Sequence, residues 1–239
     1  MEISETLKRI LSKYENEIDS YQFEDVYSEL KNGKDIATFT EMMLGVGIDP
    51  AKHLKYIPPC YLYDSKIEKY SIPNDVMSIG NSAFASCDRL TSIIIPDIVT
   101  SIGYYAFESC SGLTSINIPD SVTTIEEGAF YYCSGLTNVT IGNGVTSIGA
   151  WAFDSCSNLT NVTIGNSVKS IGNFAFQYCN GLTSVSIPDS VVTIGNRAFS
   201  RCGELKDINY EGTVEQWRKI KEVEKEFSKV KIHCSDGEA

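Results

Sequence analysis

The sequence is short of histidine and of basic charge. It holds two histidines, His53 and His233, towards opposite ends, and 20 lysines plus arginines against 31 acidic residues. No His-Glu-x-x-His zinc motif is present, nor a Gly-x-Ser-x-Gly elbow or a glycine-rich phosphate loop. Hydrolytic and nucleotide-dependent chemistry therefore have no visible machinery, and the expectation is a protein that is not an enzyme, with no catalytic residue. A net charge of −11 without a basic stripe argues against direct nucleic-acid binding, which rests on Lys and Arg neutralising phosphates. No apolar run approaches the roughly 20 residues of a membrane-spanning helix. The start, Met1-Glu2-Ile3-Ser4-Glu5, is acidic with no apolar segment behind it, so no signal peptide is read. A cytoplasmic protein is expected, with the cell surface as the alternative if a leader has been removed. Cysteine is plentiful at eight, but Cys-x-x-Cys pairs are missing, so no metal and no cofactor are expected.

What is present is a repeat. Cys87, Cys110, Cys133, Cys156, Cys179 and Cys202 each lie 23 residues apart. An Ala-Phe pair recurs with the same step, at Phe84, Phe107, Phe130, Phe153, Phe176 and Phe199. So does an isoleucine before Pro or Gly, at Ile72, Ile95, Ile118, Ile141, Ile164 and Ile187. Residues 73–210 thus make six repeats without insertion or deletion.

Each repeat carries two strand-like pieces. In the first, Leu113, Ile116 and Ile118 are expected to point inward, with Ser115 and Asn117 outward. In the second, Val122 and Ile125 point inward. A unit of 23 residues is too short for two helices and suits one coil of a solenoid. Eight coils at ~4.8 Å, counting caps, make a rod roughly 40 Å long. The cysteine column is then a buried ladder of small apolar fillers with reduced thiols.

The unit Ser-Ile-Gly-x-x-Ala-Phe-x-x-Cys-x-x-Leu-Thr-x-Ile-x-Ile-Pro resembles the BspA-like branch of leucine-rich repeat proteins. So does the closing segment around Ile208, Tyr210, Trp217 and Ile232-His233-Cys234. The resemblance covers residues 61–239. It implies a right-handed arc with a concave parallel sheet, and roles in binding and adhesion, often at microbial surfaces. The expected fold class is a leucine-rich-repeat solenoid of parallel β coils, mixed α/β, with a small all-α cap at the N-terminus.

Both ends of the array read as degenerate repeats. Tyr61 falls in the Phe84 position, Ile67 at Leu90, Tyr70 at Ile93 and Ile72 at Ile95. At the other end Val214 and Trp217 fall at Val191 and Ile194, followed by a short helix over 214–227 and a last strand over 229–234. Residues 1–59 follow helical spacing instead. Leu7, Ile10, Leu11, Tyr14 and Ile18 mark one helix, Phe23, Val26, Tyr27 and Leu30 a second, and Ile36, Phe39, Met42 and Met43 a third. A short fourth turn follows, with Asp35 and Asp49 as N-caps and Pro50 at a first helical position. The domains are a helical unit or cap over 1–59, the solenoid over 60–210, and a C-terminal cap over 211–239. The helical unit is either a cap or a separate recognition module.

Two faces can bind. The outward rows Ser92, Ser115, Asn138, Asn161, Ser184 and Ile94, Asn117, Thr140, Thr163, Ser186 are small and uncharged, and read as solubilising ladders. The turn residues Asp97, Asp120 and Asp189 follow Pro, and Asn143 and Asn166 replace them elsewhere, which is turn chemistry. The positions flanking Ala-Phe differ. They are polar or small in the end repeats but hold Tyr104, Tyr105, Tyr131, Tyr132, Trp151, Phe174 and Tyr178 in the middle four. These seven are the candidate protein-binding residues, since Tyr and Trp anchor interfaces. The competing reading is stacking between coils that covers the core edge. The expected function is a non-enzymatic protein-interaction scaffold. The alternatives are an intracellular inhibitor, phage or mobile-element encoded, that binds a bacterial enzyme or a nucleic-acid-handling complex, and a microbial adhesin for host matrix protein or glycan. A basic protein partner suits the acidic surface. A homodimer through a cap or through the aromatic band is a further option.

Overall fold

The computed structural model describes residues 4–13, 23–30, 32–45, 48–63, 65–220, 227 and 230–239. Each repeat closes one coil with three sides. The first side is the longer strand. In Ser115–Ile118 the burial alternates as the sequence pattern requires, Ile116 and Ile118 facing in, Ser115 and Asn117 out. Equivalent strands run from Lys69–Ser71 to Lys231–Cys234 along this face, paired in parallel between neighbouring coils in three groups. The second side is a two-residue strand ending in Ile. Ser78–Ile79, Ser101–Ile102, Thr124–Ile125, Ser147–Ile148, Ser170–Ile171 and Thr193–Ile194 form one parallel sheet. Register advances by 23 residues throughout, as in Ser101↔Thr124.

The third side has no strand, yet its backbone is fully engaged. Ser82, Phe84 and Ser86 donate their N–H groups to the carbonyls of Tyr104, Ala106 and Glu108 in the next coil, at 2.9, 2.8 and 2.7 Å. The same triplet recurs at 128, 130 and 132, and at 151, 153 and 155. The residues at the first and third of these positions have left-handed φ in all six coils, from Ser82 at 51° and Ser86 at 60° to Arg197 at 56° and Arg201 at 61°. The left-handed turn is thus a property of the coil, imposed on whatever residue occupies it.

The Ala-Phe column fills the coil centre. Phe84, Phe107, Phe130, Phe153, Phe176 and Phe199 stack with centroids 5.1–5.2 Å apart and planes within 8°. That spacing follows the ~4.8 Å strand repeat. The stack is continued at one end by Tyr70, Tyr61 and Tyr27 and at the other by Phe227, Trp217 and Tyr210. An aromatic spine therefore runs from the helical unit through the array to the C-terminal cap, inside one hydrophobic core.

Cys87, Cys110, Cys133, Cys156 and Cys179 are buried beside this column, as the period implies, Cys202 is half-buried, and they do more than fill space. Cys87 donates to Leu62, 25 positions earlier, at 2.8 Å. From Cys110 to Cys202 each thiol donates to the carbonyl of the residue 26 positions earlier, in the preceding coil, as in Cys110 to Phe84 at 3.1 Å, Cys133 to Phe107 at 2.9 Å and Cys179 to Phe153 at 3.2 Å. That carbonyl already accepts the N–H of the cysteine in its own coil, as Phe84 does from Cys87 at 3.2 Å. Burial pushes the Cys133 and Cys156 thiols up, away from the reactive thiolate.

The helical unit comprises α1 (Glu5–Lys13), α2 (Phe23–Glu29), α3 (Gly33–Gly45) and the single turn α4 (Ala51–Leu54). Tyr14 and Ile18 lie outside the described residues. Asp35, expected to cap a helix, instead sits in the first turn of α3. Asn32 holds that start, accepting the Lys34 N–H at 2.8 Å. Asp35 accepts the Ser4 hydroxyl at 2.7 Å, and Ser4 in turn accepts the Leu7 N–H at 3.0 Å at the head of α1. The carboxylate thereby ties α1 to α3. Pro50, expected at the first helical position, stands instead at the cap of α4, and Asp49 before it accepts the Ala51 N–H at 3.0 Å.

Tyr70 and Ile72 line up on the first full coil as read, Lys69–Ser71 pairing with Ser92–Ile94. Contact starts earlier, with Ile57 bridging Ile79 and the Lys55 carbonyl accepting from Met77 at 2.8 Å. At the far end α5 (Val214–Lys219) begins with a capping box. Thr213 accepts from Gln216 N–H at 3.2 Å, and Gln216 accepts from Thr213 N–H at 2.8 Å. Residues 221–226 of the expected helix lie outside the described residues. The last strand, Lys231–Cys234, folds back antiparallel on Gly237–Glu238, a hairpin with no repeat signal behind it. Among the described residues, no helix is long and apolar enough to cross a membrane.

Candidate protein-binding face

The two sheet faces and the third side offer different chemistry. On the first face part of the polar surface is bonded within the array. Thr137 and Thr160 donate to the carbonyl one coil back, each at 3.0 Å, and Asn161 donates to Asn138 at 2.9 Å. A cleft of about 630 Å³ runs along the turns beside Asp120, Asn143 and Asn166. Its polar atoms form a ladder too, Asp120 accepting the Asn143 N–H at 2.6 Å and Asn143 that of Asn166 at 3.0 Å. Asp and Asn serve this role alike, which explains their interchange. Ile94 is the one large apolar side chain standing out of these rows.

All seven predicted aromatics lie on the third side. Tyr132, Tyr104 and Tyr178 are 51%, 48% and 40% exposed, and the other four are half-buried. Five of them, Tyr105, Tyr132, Trp151, Phe174 and Tyr178, occupy the left-handed positions, with φ between 53° and 59°. A bulky residue there is a conformational outlier that costs about 1–2 kcal/mol. Serine, arginine or Gly128 fills the same positions in other coils. The left-handed backbone is common to all six coils, so an aromatic ring at these positions is a choice of side chain that the coil itself does not require.

The structure groups them into clusters. Tyr105 and Tyr131 meet edge to face at 6.4 Å, and Tyr131 and Tyr132 at 4.7 Å. The Tyr105 ring lies over Gly128, where a Cβ would come within 2.2 Å of it. Trp151 and Phe174 stack at 5.6 Å with planes 4° apart. The Arg201 guanidinium sits 5.7 Å from the centre of the Tyr178 ring.

Carboxylates that were not singled out as site residues lie among the rings. Tyr105 donates to Glu127 at 2.8 Å, and that bond to a carboxylate, more than burial, pushes its hydroxyl pKa up to about 12. Asp154 is buried, accepts the Ser155 hydroxyl at 2.8 Å, and has its carboxyl pKa raised by burial. A carboxyl that holds its proton more tightly in the folded chain favours folding as pH falls, and its charge opposes folding above that pKa. Asp154→Asn is therefore expected to melt higher than wild type at pH 7, with the gap closing as the solution is acidified. Melting curves across that range check this.

His233 lies away from this side, in the C-terminal strand, with Nε2 2.8 Å from Asp207. Among the described residues, no group of three His, Cys, Asp or Glu side chains could hold a metal ion.

Two strands per coil, a central phenylalanine stack and a side-chain band on the outside define a repeat scaffold. The chain belongs to the BspA type leucine rich repeat family, which matches in 6 copies over residues 55–166 and 100–221. Among solved structures it is similar to the T. pallidum leucine rich repeat protein, at 28% identity and a TM-score of 0.59, covering 70% of this chain and 82% of that one. It is also similar to a leucine-rich repeat protein from Bacteroides ovatus, at 26% identity and a TM-score of 0.50. There the match covers 64% of this chain and 52% of the other, about half its length. No curated protein matches the chain significantly. The family is one of repeat scaffolds that generally bind other proteins.

Proposed function

We propose that the protein is a non-enzymatic scaffold that binds a protein partner through the aromatic third side of its coils. The observation that carries this reading is the choice of residues at the left-handed positions. The coil forces that backbone on every repeat, and Ser82, Gly128 and Arg197 satisfy it without an aromatic ring. Placing Tyr105, Tyr132, Trp151, Phe174 and Tyr178 there carries ring surface to the outside of the coil, which a partner would cover. Exposed, contiguous Tyr and Trp side chains are the usual anchors of interfaces.

The test uses Tyr105→Asn, Tyr132→Asn and Trp151→Asn combined, because asparagine tolerates the left-handed region. Wild type and variant are immobilised, and proteins from lysate of the source cells are captured on each. A protein retained by wild type should bind the variant at least ~30-fold more weakly once purified, the loss of one or two anchors. Equal affinity for both would refute the band as the binding face.

A further inference from the structure

The middle of the array carries no positive charge. From Thr91 to Val168 the sequence contains no Lys or Arg, while Asp97, Glu108, Asp120, Glu126, Glu127 and Asp154 are all acidic. Among the described residues, no ion pair touches any of these six; the pairs lie in the helical unit, between residues 66–68 and 88–89, and in the C-terminal cap. Three of the six, Glu108, Glu127 and Asp154, are on the third side with the aromatics. Glu108 and Asp154 act electrostatically on Tyr131, and Glu108 and Glu127 on Tyr105.

The molecule also shows how such a ring can be covered. In the last coil Arg201 lies over Tyr178. Tyr132 occupies the same coil position as Tyr178, and the next coil places Ser155 where Arg201 stands. Tyr132 is 51% exposed, with a serine in place of that arginine, in middle coils that hold carboxylates and no Lys or Arg. A guanidinium or ammonium group satisfies both features at once, stacking on the ring and pairing with the carboxylates.

We infer that the partner segment seated on the band is a basic polypeptide, whose arginine or lysine side chains lie on Tyr131 and Tyr132 and pair with Glu108 and Glu127. This rests on the band being the binding face. The length of the uncompensated stretch gives the occupant an extent of about three coils, roughly 15 Å along the array, which an extended segment of five or so residues spans.

Two probes of equal length separate the possibilities, a short Gly-Ser peptide with interspersed arginines and the same peptide with neutral citrulline at those positions. Binding is followed by the emission of Trp151, with Trp217 buried in the cap as an internal reference. The arginine peptide should bind saturably, the citrulline peptide about tenfold more weakly, and added salt should weaken only the first. The pair Glu108→Gln and Glu127→Gln, with an unchanged melting curve, should lose about the same tenfold. Equal binding of both peptides, no saturable binding of either, or full binding by the Gln pair would overturn the inference. If a partner captured as above is lost by the Asn variant yet kept by the Gln pair, the band stands and its occupant is neutral. If both variants keep it, the band reading itself fails.

Discussion

Phe130→Ala is expected to remove about 3–5 kcal/mol of folding stability, the usual cost of deleting a fully buried ring. Phe130 stands in the middle of the column, 5.1 Å from Phe107 on one side and from Phe153 on the other, and is wholly buried. Its backbone bonds, from its N–H to Ala152 at 2.8 Å and to its carbonyl from Cys133 at 3.2 Å, do not need the ring. The loss is therefore one of ring burial plus the cavity left behind, since neither neighbour can close a gap fixed by the coil repeat. Coils in a solenoid touch only their neighbours, so damage should be local. Urea denaturation checks the magnitude. Hydrogen exchange should show faster opening in the coils of Phe107, Phe130 and Phe153 than in the end coils. Phe130→Leu should recover part of the loss.

Asp49→Ala should cost about 2–4 kcal/mol, through groups it leaves unpaired. Asp49 accepts the Tyr61 hydroxyl at 2.6 Å and the Tyr70 hydroxyl at 3.0 Å, besides the Ala51 N–H. Both tyrosines are buried, and Tyr61 is also in ring contact with Tyr27 of α2. One carboxylate thus joins the helical unit to the first coil. Losing it strands two donors at that junction, so limited proteolysis should release the helical unit first and leave the middle coils intact. Asp49→Asn keeps an acceptor and should recover much of the stability. Burial holds the Tyr27, Tyr61 and Tyr70 hydroxyls well above the ordinary tyrosine range. Because the folded chain keeps these protons, their contribution is intact below about pH 10 and is lost as pH rises beyond it. Alkaline melts should show that decline, and Tyr70→Phe should lessen it.

The coil was legible because a side chain needed at one place in the cross-section recurs at a fixed interval. The Phe84 column, the inward Leu113, Ile116 and Ile118, and the half-coil at Tyr70 all follow from that interval and from strand alternation. What the period does not encode is backbone sign. Ser82, Tyr105, Trp151 and Arg197 have nothing chemical in common, yet all have left-handed φ; Gly128 alone hints at it. The left-handed backbone beneath the band is therefore visible only in the structure, although the seven aromatics themselves stand out by type. Thiol donation to the Phe84 and Phe107 carbonyls was likewise hidden, since a cysteine in a core column reads as a small apolar filler. Asp35 misled because an acidic residue near a helix start is a common cap, and its true partner, Ser4, is 31 residues away. The Gly237–Glu238 return strand is two residues long and too short to carry a pattern.

We propose that the aromatics at the left-handed positions serve a partner and not the fold. Guanidinium denaturation of the variant combining Tyr105→Asn, Tyr132→Asn and Trp151→Asn tests it most directly. Asparagine tolerates the left-handed backbone better than an aromatic residue, so the variant should keep a stability within about 1 kcal/mol of wild type. A loss of about 4 kcal/mol or more, the scale of removing core side chains, would mean that these rings hold the coils together and would contradict the account.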